Sequence, residues 1–370
     1  DKDNARKAGM DDHIAKPINP DVLYNALINY IVPGERDLPE LEESENQSSL
    51  ETLPEIPGLD TDAGLLRMGG NIKGYKKLLA KFVDVKPVAI GYAGLKDRHA
   101  VTRQWFSVDL AGKPEPDWLR LNSEISSEGN SQSIKVIEAV RHSRKLKRGA
   151  VRYNHFRITL KEFDGDKQGL IQRLEFIQRC GAPNYFGEQR FGSNDANLKQ
   201  AEKLFLGQQQ AGKKKRVNRY LRSMYLSAVR SFLFNQVLSQ RVVEKTWNHP
   251  IEGDAFMMEG SHSVFTVDAI DEQINRRVTE FDIHSTGPMW GSGASMATSD
   301  ALAIEVQALQ SYQKWCDLLV NEGLKQERRA LRVNIGDLSW EWQGGGVVLS
   351  FKLPAGSYAT SVLRELVFYG

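Results

Sequence analysis

Asp97 stands between two cations in the run Gly91-Tyr92-Ala93-Gly94-Leu95-Lys96-Asp97-Arg98-His99-Ala100-Val101-Thr102-Arg103-Gln104. The apolar run Pro87–Ala93 before it reads as a buried strand, so the aspartate falls at a strand end. Desolvation pushes a carboxylate in a closing site toward its protonated form, and a neighbouring cation opposes that and favours the ionised form. An ionised carboxylate so placed can act as a nucleophile or a general base near neutral pH. The same three residues, Lys96, Asp97 and Arg98, also make an ordinary turn in a solvated charge cluster. No His/Cys cluster with ligand spacing accompanies them, nor does a Gly-Lys-Ser/Thr phosphate loop.

The elements that must hold this run are legible from periodicity. Gln104–Val108 and Ile134–Val140 read as strands, and in 154–162 Phe156, Ile158 and Leu160 alternate with polar residues as in a half-buried strand. Leu170, Leu174 and Ile177 mark an amphipathic helix. A helix-rich stretch extends to about 240, and a further helix is expected over 299–322. Leu338–Trp342, the glycine turn Gly344-Gly345-Gly346 and Val347–Leu353 form a hairpin pattern, and a last helix begins near Ser357. Strands, then helices, then strands again predict an α+β domain carrying an insertion.

Charge is divided along the chain. Residues 1–84 hold 10 Lys/Arg and 16 Asp/Glu, a net of −6, which leaves +8 for the remainder of a chain whose total is +2. The basic part is the one suited to an anionic polymer. Its densest runs are Arg141–Arg148, which leads into the Phe156 strand, and Lys213, Lys214, Lys215 and Arg216, each of which is also readable as a solvated surface run. The two cysteines, Cys180 and Cys316, make neither a disulfide framework nor a metal site and fit a reducing compartment. No secretory-type leader opens the chain and no run approaches membrane-span length, so a cytoplasmic protein is expected; its oligomeric state is left open, with a monomer favoured.

Gly94, Lys96, Asp97, Ala100, Thr102 and Gln104 resemble the Gly-x-Lys-Asp…Ala-x-Thr-x-Gln signature of TruD-type pseudouridine synthases. Five further blocks follow in that family's order: Arg148-Gly149 with Asn154-x-Phe156, Pro183–Gly192, Leu226–Asn235, Gly253-Asp254 and Leu353–Leu366. The resemblance covers residues from about Val85 onward. It implies a pseudouridine-synthase-like catalytic domain with a mixed or antiparallel sheet (85–180 and 333–370), interrupted by a helix-rich insertion domain (181–332). It implies isomerisation of uridine 13 of tRNA to pseudouridine without cofactor, with Asp97 as the catalytic aspartate. Phe156 then takes the position of the aromatic residue set against the target base, with Asn154 and Lys96 beside it, and Arg148 and Lys213–Arg216 contact RNA. Read alone, Phe156 is a core residue of an alternating strand and Asn154 a strand-edge asparagine.

The front of the chain resembles something else. Ala5–Pro17 and the helical pattern to residue 32 resemble the C-terminal end of a response-regulator receiver domain. Residues 33–57 read as a linker, and 58–84, on a resemblance spanning about 56–80, as the start of a histidine phosphotransfer domain. The receiver's phosphate-accepting aspartate lies outside such a fragment, and no histidine occurs between His13 and His99. A fused or misassembled reading frame is the expectation. Two alternatives to an active isomerase are a tRNA-binding but inactive chimera and a phosphorelay hybrid.

Overall fold

The computed structural model describes residues 72–94, 96–97, 100–118, 120–121, 135–206 and 218–367. The readings of residues 1–71 and the run Lys213–Arg216 lie outside them. The described residues all fall within one unit, Ala63–Gly370.

The first layer is small. Helix α1 (Ile72–Phe82) precedes strands β1 (Ile90–Tyr92) and β2 (Phe106–Val108), which pair antiparallel with Ile90 opposite Val108 and Tyr92 opposite Phe106. Apolar residues tie helix to ribbon: Ala80 and Ile90 are buried, and the Tyr75 ring meets Phe106 edge-on at 6.1 Å. The expected strand at 87–93 begins late because Pro87–Ala89 forms a 3-10 turn, a conformation that the fixed φ of Pro87 favours.

The second layer carries the main sheet. Strands β3 (Tyr153–Leu160), β10 (Gly336–Gln343) and β11 (Gly346–Pro354) form an antiparallel sheet in the order β10-β11-β3. Residues alternate across it as a half-buried strand must. Phe156, Ile158 and Leu160 share the inner face with Val347, Leu349, Phe351 and Leu353, packed on α2 (Lys167–Cys180) through Leu170, Leu174 and Ile177. Helix α8 (Ala359–Leu366) closes the same core with Val362, Leu363 and Leu366. The outer face is polar apart from the buried Val348, and its charges pair across strands, Arg157 with Glu341 at 2.9 Å and Lys352 with Asp337. Asp166 caps α2 by accepting from Gln168 N and Gly169 N, both at 2.9 Å, which satisfies amides at the helix start.

Between α2 and β10 the chain leaves and returns through a two-residue pair, β4 (Ala182–Pro183) against β9 (Arg332–Val333). The excursion holds the short α3 (Ala196–Ala201), the long α4 (Arg219–Val243), α5 (Glu272–Thr279), α6 (Ser299–Leu309) and α7 (Gln313–Asn321). It also holds a four-stranded antiparallel sheet, β6-β5-β7-β8, made of Ala255–Met258 (β5), Val264–Thr266 (β6), Ile283–Met289 (β7) and Glu327–Ala330 (β8). That sheet is an addition to the helix-rich expectation. The single helix expected over 299–322 is broken by a 3-10 turn at Gln310–Tyr312.

One expected strand is absent. Residues 135–140 carry no regular structure, although Val136, Ile137 and Val140 have strand character. Strand propensity expresses the fit to a pleated, half-buried surface, and no described strand lies alongside to provide one.

Candidate active site

The aspartate-bearing segment is the long connection between β1 and β2, running from Ala93 to Trp105. Its base is fixed by close packing. At Gly91 a side-chain carbon would stand 2.5 Å from the Leu146 carbonyl and 2.5 Å from Ser107 Oγ, so only glycine lets the 145–149 segment lie across the ribbon. Gly149 N then donates to Ala93 O at 2.9 Å, and Leu146 N donates to Ser107 Oγ at 2.8 Å. Arg148, exposed, holds its guanidinium 6.0 Å from the centroid of the Tyr92 ring.

Asp97 is exposed on this connection, and the Lys96 side chain beside it turns inward. Lys96 Nζ donates to Asn154 Oδ1 at 2.7 Å, across 58 residues of sequence. That bond ties the aspartate's segment to the start of β3, where Asn154 stands opposite Leu353. Two residues on, Phe156 occupies the same face of β3. Its ring stacks on Phe351, centroids 5.4 Å apart and planes 26° apart, and it is half-buried against the core of the main sheet. The structure therefore brings together Lys96, Asn154 and the segment bearing Asp97, places Phe156 next along the strand, and sets Arg148 on the ribbon below.

Three of the remaining sequence blocks, Pro183–Gly192, Leu226–Asn235 and Leu353–Leu366, converge at the same end of the main sheet. Past Pro354 the chain turns through Ala355–Tyr358, and Ala355 N donates to Arg152 O at 3.0 Å, just ahead of β3. Against that turn lies the Pro183–Gly192 block. Asn184 Nδ2 donates to Ala330 O at 2.9 Å, and the Ser361 hydroxyl donates to Tyr185 O at 3.0 Å. Phe186 exchanges two 2.9 Å bonds with the Asn235 amide, Phe186 N to Oδ1 and Nδ2 to Phe186 O, which anchors the block to α4. The Tyr185 hydroxyl reaches Ser239 at 3.2 Å, and burial pushes its phenol above the ordinary tyrosine range against the opposing pull of that bond. Arg329 donates to Asn184 Oδ1 at 2.6 Å and to Gly356 O at 3.1 Å, with its guanidinium 4.1 Å from the Phe186 centroid. Burial lowers its pKa to about 10.

The Gly253-Asp254 block has a different task. Asp254 receives Arg241 Nη1 at 2.8 Å and Nη2 at 3.0 Å, both side chains fully buried, and also accepts from Ile251 N at 2.9 Å. Gly253, at φ +80°, lies against the Thr298 carbonyl, where a side-chain carbon would approach to 2.0 Å. This block braces the insertion and contributes no group to the end of the sheet just described.

Sequence reasoning passed over Arg329. It sits in a Glu-Arg-Arg triplet with no motif around it, and only the fold shows that it meets Asn184, Phe186 and the 354–358 turn. Arg190 lay inside a recognised block without a role of its own.

The chain matches the family model described as tRNA pseudouridine synthase D (TruD) over residues 71–212 and 201–366. The match starts at residue 71, so α1 lies inside the family's span, ahead of Val85 where the sequence resemblance begins. A tRNA pseudouridine synthase D from Nitrosococcus oceani is 46% identical over 305 residues, covering 82% of each chain. One from Methylococcus capsulatus is 47% identical over 302 residues, covering 81% of this chain and 82% of that one. The crystal structure of a putative tRNA pseudouridine synthase D (TruD) from Methanosarcina mazei shares the fold, with a TM-score of 0.59 at 21% identity over 79% of this chain and 84% of that one. By its sequence, its fold and the blocks gathered at the end of its main sheet, the chain belongs to the TruD family of tRNA pseudouridine synthases.

Proposed function

We propose that the chain isomerises a uridine of tRNA, at position 13, to pseudouridine, with Asp97 as its catalytic carboxylate. The observation that carries this reading is the Lys96–Asn154 bond, which fixes the Asp97 segment at the end of the sheet where the family blocks meet. In the reaction the N–C glycosidic bond breaks, the uracil turns, and carbon rejoins the ribose. Atoms and oxidation state are unchanged overall, so the chain's own residues can supply what is needed. The target base must leave its stack to reach the carboxylate. Lys96 and Asn154 position the segment and contact the nucleotide, while Arg148 and Lys213–Arg216 bind the RNA backbone. Asp97 acts by attack on the sugar, by addition to the base or by removal of a ribose proton. The assay is direct: purified chain and unmodified tRNA transcript, with pseudouridine read at single-nucleotide resolution. tRNA binding without any pseudouridine would support the inactive-chimera reading instead.

Phe156 serves as the surface against which the base lies, beside its share in the core. Two substitutions separate the roles. Phe156→Leu keeps most of the apolar burial and removes the flat face. It is expected to lower turnover about 5- to 150-fold, the range that stacking of roughly 1–3 kcal/mol covers, with little change in thermal midpoint. A fully active Leu variant would leave Phe156 as a core residue alone.

The catalytic domain comprises 85–180 and 333–370 and the insertion 181–332, a division that the β4–β9 pair supports. Residues 1–32, and those of 58–84 that precede the family match at residue 71, derive from receiver and phosphotransfer sequences fused to a synthase, and the protein works as a monomer in the cytoplasm with its tRNA. Among the described residues no helix is long and apolar enough to cross a membrane. Deleting residues 1–70 is expected to leave the thermal midpoint and tRNA affinity unchanged. Unfolding of the shortened chain would show that the front segment belongs to the core.

A further inference from the structure

The insertion contains several arginines withdrawn from solvent, and most are provided with a carboxylate. Arg241 meets Asp254 at 2.8 Å, Arg328 meets Glu305 at 2.7 Å and Arg230 meets Glu327 at 2.9 Å. Arg332 reaches Glu259 through His284, whose two ring nitrogens lie 2.9 Å from Arg332 Nε and 2.7 Å from Glu259 Oε2. This is the usual arrangement, because an unpaired charge held away from water is expensive.

Arg190 and Arg329 depart from it. Their guanidinium groups stand 5.4 and 4.1 Å from the centroid of one ring, Phe186. Among the described residues neither is within ion-pair distance of a carboxylate. Arg190 Nε donates to the Ser231 hydroxyl at 3.1 Å, and Arg329 is held by Asn184 and by the carbonyl of Gly356. The positive charge of Arg190 further disfavours the charged form of Arg329, whose main penalty is desolvation. Two cations thus share one aromatic ring with neutral partners only. The surface beside them is open: Ala355 and Gly356 are exposed, Ser357 and Arg190 partly so. The same turn is bonded to Arg152, immediately before the strand that carries Asn154.

We propose that Arg190 and Arg329 form a site for a backbone phosphate of the RNA substrate. The proposal rests on the RNA reading above and adds to it a site that holds the strand near the target uridine. A guanidinium presents a rigid fork of donors that matches phosphate oxygens two at a time. A site already held by Phe186, Asn184 and Ser231 loses little side-chain freedom on binding. The anion supplies the counter-charge that the fold withholds, so binding relieves a cost the free protein carries. Phosphate contacts of this kind fix register without reading sequence, which is what a base about to leave its stack requires of its flanking backbone.

The test is made by binding, with the full chain and an unmodified tRNA transcript across a salt series. Arg190→Gln is the main variant, because Arg190 is partly exposed and its guanidinium donates to a serine hydroxyl. It is expected to reduce the slope of log affinity against log salt by about 0.7–0.9, the loss of one phosphate contact. Arg190→Lys is expected to restore most of that slope. In parallel, single phosphates around the target uridine are replaced by neutral methylphosphonates. One position is expected to weaken the wild-type complex and to have no further effect on the Arg190→Gln complex. Arg329→Gln is expected to behave the same way if it folds, and Arg190→Gln decides the matter if it does not. An unchanged salt slope, with only a lower thermal midpoint, would mean that the two arginines serve the Phe186 packing alone. A set of methylphosphonates that weaken wild type and variant equally would also overturn the site. A wild-type chain that binds tRNA in this manner but forms no pseudouridine would defeat the isomerase reading while leaving the phosphate site standing.

Discussion

Asp97→Asn is expected to abolish pseudouridine formation while tRNA affinity stays within a few fold of wild type. The substitution keeps the size and shape of the side chain and removes the negative charge that nucleophilic or general-base chemistry uses. Asp97 is exposed on a segment anchored by Gly91, Gly149 and the Lys96–Asn154 bond. Those anchors remain in place and the amide keeps the side chain's shape, so the variant is expected to fold normally. Single-turnover assays with excess enzyme give the cleanest reading, because they exclude slow product release. Appreciable conversion by a verified Asn variant would remove Asp97 from its role.

The second large effect lies far from the chemistry. Arg241→Ala is expected to lower stability by about 3–5 kcal/mol, because it leaves Asp254 buried and without its partner. Arg241 also holds the Thr246 carbonyl, at 2.7 Å, so the end of α4 and the chain after it loosen together. Replacing both members by apolar residues, Arg241→Met with Asp254→Leu, is expected to recover much of the loss, since the pair's attraction was largely offset by its desolvation. Denaturant midpoints for the two single variants and the double variant check this. A single variant as stable as wild type would show that water reaches the site and replaces the pair.

These two residues also mark what could be read from sequence. The place of Asp97 at a strand end could be read from the apolar run, the glycine and the flanking cations, which are local features, whereas the role proposed for it comes from the resemblance to the family signature. Asn154 and Phe156 could be placed through the period of β3 and the block they share with Arg148. The joining of Lys96 to Asn154 could not, because nothing local encodes a contact across 58 positions. Asp254 was noticed as part of a block, but its work is structural, and only its burial against Arg241 reveals that. The run 135–140 was misjudged for the opposite reason: its residue types suit a strand, and a strand exists only where a neighbour accepts it. The four-stranded sheet of the insertion was missed because Ala255–Met258 and Ile283–Met289 are buried almost continuously and show no alternation.

The strand order β10-β11-β3 has a consequence for how the protein is made. β3 pairs along its whole length with β11, from Leu160 opposite Val347 to Tyr153 opposite Pro354. A ribosome adding roughly 5–20 residues per second releases β3 some ten to forty seconds before its partner. During that interval the inner face of β3, with Phe156, Ile158 and Leu160, has no sheet to join, while the β5–β8 sheet of the insertion receives its last strand before β11 is made. Nascent chains are therefore expected to acquire protease resistance in the insertion first. A stop codon ahead of Gly346 would leave the Asp97 segment intact in sequence but without the β11 strand that fixes Asn154 in place.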